Sequence, residues 1–255
     1  MTQLDLSGKT LGRFDIRACV GQGGMATVYL AQQRDLERRL ALKILHPDIA
    51  HEDTMLARFR QEARSIARLE HPHIIPIYDV GTLETPAGVH LHYIAMKYIE
   101  GTTLKALLHT EGRLSLARIL ALLHPIGSAV DYAHQQGILH RDIKPSNMLI
   151  DGEGHIYLSD FGLACGPGGT TGLTKTGMVM GTPEYMSPEQ ARGLEVDTRS
   201  DIFSLGVLVY EMVAGCAPFC GETVSDVIAA ILRAEPKALS SLSKHPARTR
   251  VERGQ

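Results

Sequence analysis

The chain has 255 residues, 44% of them hydrophobic, enough for a large core or two lobes. Lys and Arg total 26 against 28 Asp and Glu, a formal charge of −2, which argues against a nucleic-acid binder held by bulk charge. Cys19, Cys165, Cys216 and Cys220 are scattered without a Cys-x-x-Cys pair, the charged first ten residues do not read as a signal peptide, and no apolar run reaches the roughly 18 residues of a membrane span, so a reduced cytoplasmic chain is expected.

Residues 11–16 lead into a stretch in which alternating apolar side chains flank Gly21, Gly23 and Gly24. The pattern predicts a hairpin whose glycine tip lets backbone N–H groups approach phosphates without a Cβ in the way. A dinucleotide-binding loop is the rival, but that loop opens a helix, whereas Thr27, Val28, Tyr29 and Leu30 continue as strand. Residues 39–45 alternate as a further strand and carry Lys43 inside an apolar run. Residues 54–69 repeat apolar side chains near helical spacing, with Glu62 adjoining the stripe of Phe59, Ala63 and Ile66. Pro72 ends that helix. Strands are predicted over 74–80 and 90–96, with a turn over 81–88 between them. His90 and His92 share a strand face and, with no carboxylate or cysteine cluster nearby, read as surface histidines rather than a metal pair.

Beyond Gly101 the pattern turns helical, with a short helix over 102–109 and a longer one over 116–136, interrupted by Pro125 and closed by Gly137. His134 reads as a core-edge residue. His140-Arg141-Asp142-Ile143-Lys144-Pro145-Ser146-Asn147 then places an acid, a cation and an amide in one loop. Asp142 is suited to accept a proton from a hydroxyl, Lys144 to sit beside an anionic group in transit, and Asn147 to offer a neutral oxygen to a hard cation. Short strands over 148–150 and 155–158 precede Asp160-Phe161-Gly162, a carboxylate at a glycine-hinged turn. Two oxygen ligands, one base and one cation suit phosphoryl transfer, in which positioning and charge neutralisation dominate. Residues 166–180 read as a loop. Residues 201–212 are apolar on nearly every side and predict a buried helix, with Asp201 at its start placed to accept N–H groups from the 140–147 loop, a role compatible with capping the helix. One more helix is predicted over 224–232, and 237–255 are basic and polar without helical periodicity.

Found together and in order, His140-Arg141-Asp142 with Asn147 and then Asp160-Phe161-Gly162 resemble the catalytic core of the eukaryotic-type serine/threonine protein kinases, bacterial branch. The resemblance spans about residues 11–232 and implies an α+β, bilobal protein-kinase-like fold. It divides the chain into a small antiparallel-sheet lobe over 11–99, a mainly helical lobe over 100–235 and an atypical tail over 236–255. It implies ATP in the cleft, under a lid of Val20, Gly21, Gln22, Gly23 and Gly24, against Val28, Ala41, Met96, Ile99 and Leu149, with Lys43 on the phosphates and Glu62 fixing Lys43. Ala26 stands where the family's third lid glycine falls. Met96 is the implied gatekeeper and 97–99 the hinge, where many relatives carry an acid in place of Lys97.

By the same resemblance Asp142 is the base, Lys144 steadies the migrating phosphoryl group, and Asn147 and Asp160 hold Mg2+, with Mn2+ as the alternative ion. Thr174 and Thr176 match autophosphorylation positions, and Arg141 supplies a cation for the phosphothreonine. Gly181-Thr182-Pro183-Glu184-Tyr185 resembles the shelf for the substrate residue, and Thr182 with Lys144 resembles the serine/threonine subclass. The implied function is ATP-dependent phosphorylation of serine and threonine on proteins, with self-association for trans-autophosphorylation, no nucleic-acid partner and no membrane segment in this chain. The alternatives are a nucleotide-binding pseudokinase acting as a scaffold, an inactive truncated fragment, and a small-molecule kinase, which the 181–189 shelf disfavours. The family's larger lobe continues through two further helices and an arginine that pairs with the glutamate matching Glu189. With only Arg248 or Arg250 to stand in, a C-terminally truncated and marginally stable lobe is expected.

Overall fold

The computed structural model describes residues 5–47, 53–161 and 183–242. Its first lobe is one six-stranded sheet of β1 (Thr10–Leu11), β2 (Phe14–Gln22), β3 (Ala26–Gln33), β4 (Arg38–Leu45), β5 (Ile77–Glu84) and β6 (His90–Lys97), paired in the order β1-β2-β3-β4-β6-β5. Every pairing is antiparallel. The period of two sorts the side chains of β4 onto opposite faces. Leu40, Leu42 and Ile44 join Phe14, Ile16, Leu91 and Tyr93 in one apolar layer. Ala41 and Leu45 join Ile94 and Met96 in the other, which is closed by Phe59 and Ala63 of helix α1 (Asp53–Ile66). Lys43 therefore stands among the side chains that face the helix.

The turn expected over 81–88 is shorter than the alternation suggested, because β5 continues to Glu84 and pairs Gly81 with Tyr93. A Cβ at Gly81 would lie 2.8 Å from the Tyr93 hydroxyl, so any larger residue there would have to displace the Tyr93 ring. His92 is also not the surface residue expected: it is buried, with Nδ1 3.0 Å from Thr82 Oγ1 and 3.2 Å from Arg60 Nη2. Burial, then the charge of Arg60, holds its pKa below the usual histidine range.

The second lobe opens with β7 (Gly101–Thr103), which joins β8 (Met148–Asp151) and β9 (Ile156–Leu158) in a three-stranded sheet ordered β7-β8-β9. Its helices are α2 (Leu104–Glu111), α3 (Leu116–Gln135), α4 (Pro188–Ala191), α5 (Thr198–Ala214), α6 (Val224–Arg233) and α7 (Leu239–Leu242), the last a single turn in the stretch read as aperiodic. Pro125 does not interrupt α3. The helix forgoes one N–H there, and burial of Ile119, Leu122, Ile126, Ala129 and Val130 on its inner face carries it through. The helix α5 begins three residues before Asp201, with Asp197 as its cap, and Gly215 closes it in the left-handed region at φ 75°. Among the described residues no helix is long and apolar enough to cross a membrane.

Behind the junction the lobes are stitched by backbone hydrogen bonds from Ile75 N–H to Leu158 O at 3.0 Å and from Leu158 N–H to His73 O at 2.8 Å. In front, the chain crosses at 98–100 and immediately pairs Gly101 with Asp151. A Cβ at Gly101 would sit 2.0 Å from Ile150 O, far inside any tolerable contact. Gly101→Ala is therefore expected to lower stability by about 1–3 kcal/mol, the usual cost of overpacking. An unchanged midpoint in urea denaturation would contradict this placement of the crossing strand.

Candidate active site

The 140–147 loop is held from beneath by α5. Asp201, 1% exposed, accepts the N–H of His140 at 2.8 Å and of Arg141 at 2.7 Å, and its Oδ2 lies 2.7 Å from His134 Nε2. Asp201 thus accepts the loop's N–H groups, while the cap of α5 is Asp197. These bonds hold Arg141 at a left-handed φ of 64°, a conformation that costs energy in any residue but glycine. Gln190 Nε2 donates to Arg141 O at 2.8 Å and so ties down the other side of the same residue. The His140 ring is buried, with Nε2 3.0 Å from Ser159 O and Nδ1 accepting the Asp142 N–H at 3.2 Å. Burial pushes its pKa down, which favours the neutral ring with its proton on Nε2.

The next residues carry the polar chemistry. Asp142 Oδ2 accepts from Lys144 Nζ at 2.7 Å and from Asn147 Nδ2 at 2.9 Å, and Asn147 Nδ2 also donates to Asp142 O at 2.8 Å. The Asn147 amide nitrogen is thus committed to Asp142, and its Oδ1 remains as an acceptor. Asn147 is buried, while the Asp142 carboxyl is 41% exposed and open to a hydroxyl from solution. Asp160, also at a positive φ of 56°, receives Lys43 Nζ on Oδ1 at 2.5 Å. Burial raises the Asp160 pKa, but the charge and hydrogen bond of Lys43, then His140 and Lys144, outweigh it and leave the group below the ordinary carboxylate range. Phe161 follows it and packs against the His140 ring in a tilted arrangement, with centroids 4.5 Å apart. The loop and the Asp160 turn are therefore one packed unit, joined again by the Ser159 N–H to Asn147 O bond at 2.9 Å.

The residues matched to the adenine gather as expected. Val28, Ile99 and Leu149 pack around the layer that contains Ala41 and Met96, although they come from both lobes. In register, Val28 lies opposite Lys43 and Ala41 opposite Met96. Val20, Gly21 and Gln22 end β2, and Gly23 and Gly24 form its turn, closed by Gly23 N–H to Ala26 O at 3.0 Å. Two register shifts in β2, at 16–18 and 19–21, bring this end out of the core, and Val20 is exposed. The Glu62 side chain lies outside the described residues, as do Gly162, Thr174, Thr176, Gly181, Thr182, Arg248 and Arg250. The described partner of Lys43 is Asp160.

Downstream, Pro183–Tyr185 forms a short 3-10 turn, and Ser187 and Gln190 make a capping box on α4. The Tyr185 hydroxyl donates to Glu211 in a short hydrogen bond, and burial beside that acid pushes the phenol pKa far up. The Glu211 pKa is raised as well, by burial first and by the charge of Glu184 after it. Glu189 accepts from the Ser200 hydroxyl. Among the described residues Arg141 Nε is buried without a partner. His134, Gln190, Ser159 and Glu211 were not anticipated as contributors. Only His134 had a visible sign, a histidine six residues before His140 on the preceding helix.

The family model described as Protein kinase domain matches residues 14–252, including most of the stretch read as an atypical tail. The chain is 41% identical over 225 residues, 88% of its length, to the serine/threonine-protein kinase PknB of Mycobacterium tuberculosis, of which it covers 36%. It is 43% identical over 231 residues, 90% of its length, to the serine/threonine-protein kinase PrkC of Bacillus subtilis, of which it covers 35%. The chain thus spans about a third of the length of these relatives. The crystal structure of a mutant of the Mycobacterium tuberculosis PknI kinase domain superposes with a TM-score of 0.71 at 30% identity, covering 94% of this chain and 85% of that one.

The role of Asp201 generates a direct test. Removing its carboxylate leaves two backbone N–H groups and His134 without their acceptor in a buried place. Asp201→Ala is expected to cost about 3–5 kcal/mol, and Asp201→Asn less because one oxygen remains to accept. Urea denaturation measures both, and a loss below about 1 kcal/mol for the alanine variant would contradict the anchoring role.

Proposed function

The chain belongs to the protein kinase family, and from that premise we propose that it transfers the γ-phosphoryl group of ATP to serine or threonine hydroxyls of proteins. One observation carries the reading: Asp142, Lys144 and Asn147 are bonded together in one loop, and that loop is packed onto the Asp160 turn where Lys43 arrives from the other lobe. The substrate hydroxyl oxygen bonds to the γ-phosphorus as the bridging bond to ADP breaks, and Asp142 takes the hydroxyl proton. Lys144, beside Asp142, offsets the negative charge of the phosphoryl group in passage. The Lys43 ammonium, now on Asp160, is the cation available to the α- and β-phosphates.

The donor set fits a hard divalent cation. Among the described residues Asn147 Oδ1 is a neutral oxygen with no hydrogen-bond donor, and Asp160 is held ionised by Lys43. Mg2+ binds through one or two protein oxygens plus phosphates, so these two residues would hold it. When bound, the ion supplies charge neutralisation to the triphosphate. Mn2+ fits the same oxygens. The buried and unpartnered Arg141 Nε supports the further reading that phosphothreonine at 174 or 176 docks on Arg141, with self-association delivering one chain's threonine to another's Asp142.

Asp142→Ala is expected to lower turnover by about 10²–10⁴-fold while leaving nucleotide affinity nearly intact. Loss of ATP binding in that variant would contradict the assignment of the base. With labelled ATP and phosphopeptide mapping, label is expected on Thr174 or Thr176. Label found only on a soluble metabolite would replace the protein-kinase reading with a small-molecule kinase.

A further inference from the structure

The helix α5 holds two parts of the site at once. The 140–147 loop hangs from Asp201. Ser200 and Ser204, on either side of Asp201 in sequence, hold the segment 183–191 that continues the shelf read for the substrate residue. The Ser200 hydroxyl donates to Glu189, and the Ser204 hydroxyl donates to Tyr185 O at 2.7 Å. One side chain then closes the triangle. Gln190, 4% exposed, donates from Nε2 to Arg141 O at 2.8 Å. Among the described residues this is the one hydrogen bond between 183–191 and the 140–147 loop.

Both ends of the Gln190 amide are used. Its Oε1 accepts the Ser187 N–H at 3.0 Å, the return bond of the capping box on α4. The Ser187 N–H can only donate and Arg141 O can only accept, so the place requires an acceptor and a donor on one planar group. An ionised glutamate would turn an oxygen toward the Arg141 carbonyl, and a leucine would satisfy neither partner. Arg141 O belongs to the peptide unit that leads into Asp142. The N–H of that same unit donates to His140 Nδ1 at 3.2 Å. The unit is thus clamped at both of its polar atoms, by His140 from within the loop and by Gln190 from the shelf segment. It directly follows the left-handed Arg141, at φ 64°, where backbone released from its bonds relaxes downhill.

We propose that Gln190 is a positioning residue for phosphoryl transfer to peptides: it fixes the Arg141–Asp142 peptide unit against the segment that receives the substrate, and so sets where the Asp142 carboxyl meets the incoming hydroxyl. The inference rests on the protein-kinase reading. Gln190 touches no reacting atom and acts through Arg141 O. The nucleotide side, where Lys43 meets Asp160, is held by other bonds. Loss of the clamp therefore leaves ATP affinity unchanged and lowers turnover of peptide by about 10–100-fold, the cost of displacing a reacting group by up to about 1 Å. An isosteric glutamate carries a signature that no packing defect shares. Ionised, it repels Arg141 O; protonated, its O–H donates to that oxygen and restores the bond.

The test compares the full chain with Gln190→Glu and Gln190→Leu, using ATP, Mg2+ and a synthetic peptide copying residues 168–182, which carries Thr174 and Thr176. At about pH 8 both variants are expected to lose about 10–100-fold in kcat with KM for ATP unchanged. Between about pH 8 and about pH 6 the deficit of the glutamate variant relative to the parent is expected to shrink at least about threefold, and that of the leucine variant to stay constant. Native-state hydrogen exchange gives a readout independent of catalysis: at about pH 8 the Asp142 amide is expected to exchange at least about tenfold faster in both variants, with Ile126 and Ala129 of α3 as protected as in the parent. The proposal is overturned by a glutamate variant that turns peptide over within about twofold of the parent at about pH 8, or by a deficit that pH does not change. It is equally overturned by an Asp142 amide protected as in the parent, or by a loss of protection shared with α3, which marks a global folding defect. If the parent chain labels neither the peptide nor itself, the protein-kinase reading fails, and the exchange result alone decides whether Gln190 holds the Asp142 peptide unit.

Discussion

A single buried carboxylate sets the shape on which this molecule depends. Asp201 sits in the first turn of α5, where the helix dipole already favours a negative charge, and it is closed off from water. Burying an ion costs several kcal/mol unless its lone pairs are used. Here they are used by the backbone of the very loop that carries Asp142, and by His134. The same hydrogen bonds thus offset both the cost of burying the charge and the cost of the left-handed Arg141. Neither the ion nor the strained backbone would persist alone.

From that fixed point the rest of the site is placed by short links. His140 N–H reaches Asp201, its ring packs on Phe161, and its Nε2 meets Ser159 O, so the 140–147 loop and the Asp160 turn are packed together. Asn147 O takes both the N–H and the hydroxyl of Ser159, which binds the two pieces again from the other end. The Lys43–Asp160 pair then spans 117 positions of sequence and joins the sheet lobe to this piece. That pair is partly buried, so its mutual attraction is less screened than that of the exposed Arg39–Glu100 pair, which does not touch the site.

Much of this was legible in the order of residues. The alternation of 39–45 put Lys43 with Ala41 and Leu45, which is where the sheet carries it, and the separation of Asp142 from Asn147 was short enough to imply one loop. The possible link from Asp201 to that loop was visible as a lone acid opening an apolar helix. What stayed hidden depends on distant neighbours. Nothing near Gly81 tells that Tyr93 will lie across it, and nothing near His92 tells that Arg60 and Thr82 will enclose it. Pro125 read as a break because local rules omit the buried face that carries the helix past it.

The claim that the site's shape is set by bonds from Asp201 to the loop backbone is tested most directly by native-state hydrogen exchange at the His140 and Arg141 amides. If the account is right, both exchange only through openings nearly as costly as global unfolding, in step with the core of α5. If they exchange at the pace of an open loop while α5 stays protected, the anchor is not what holds the site together.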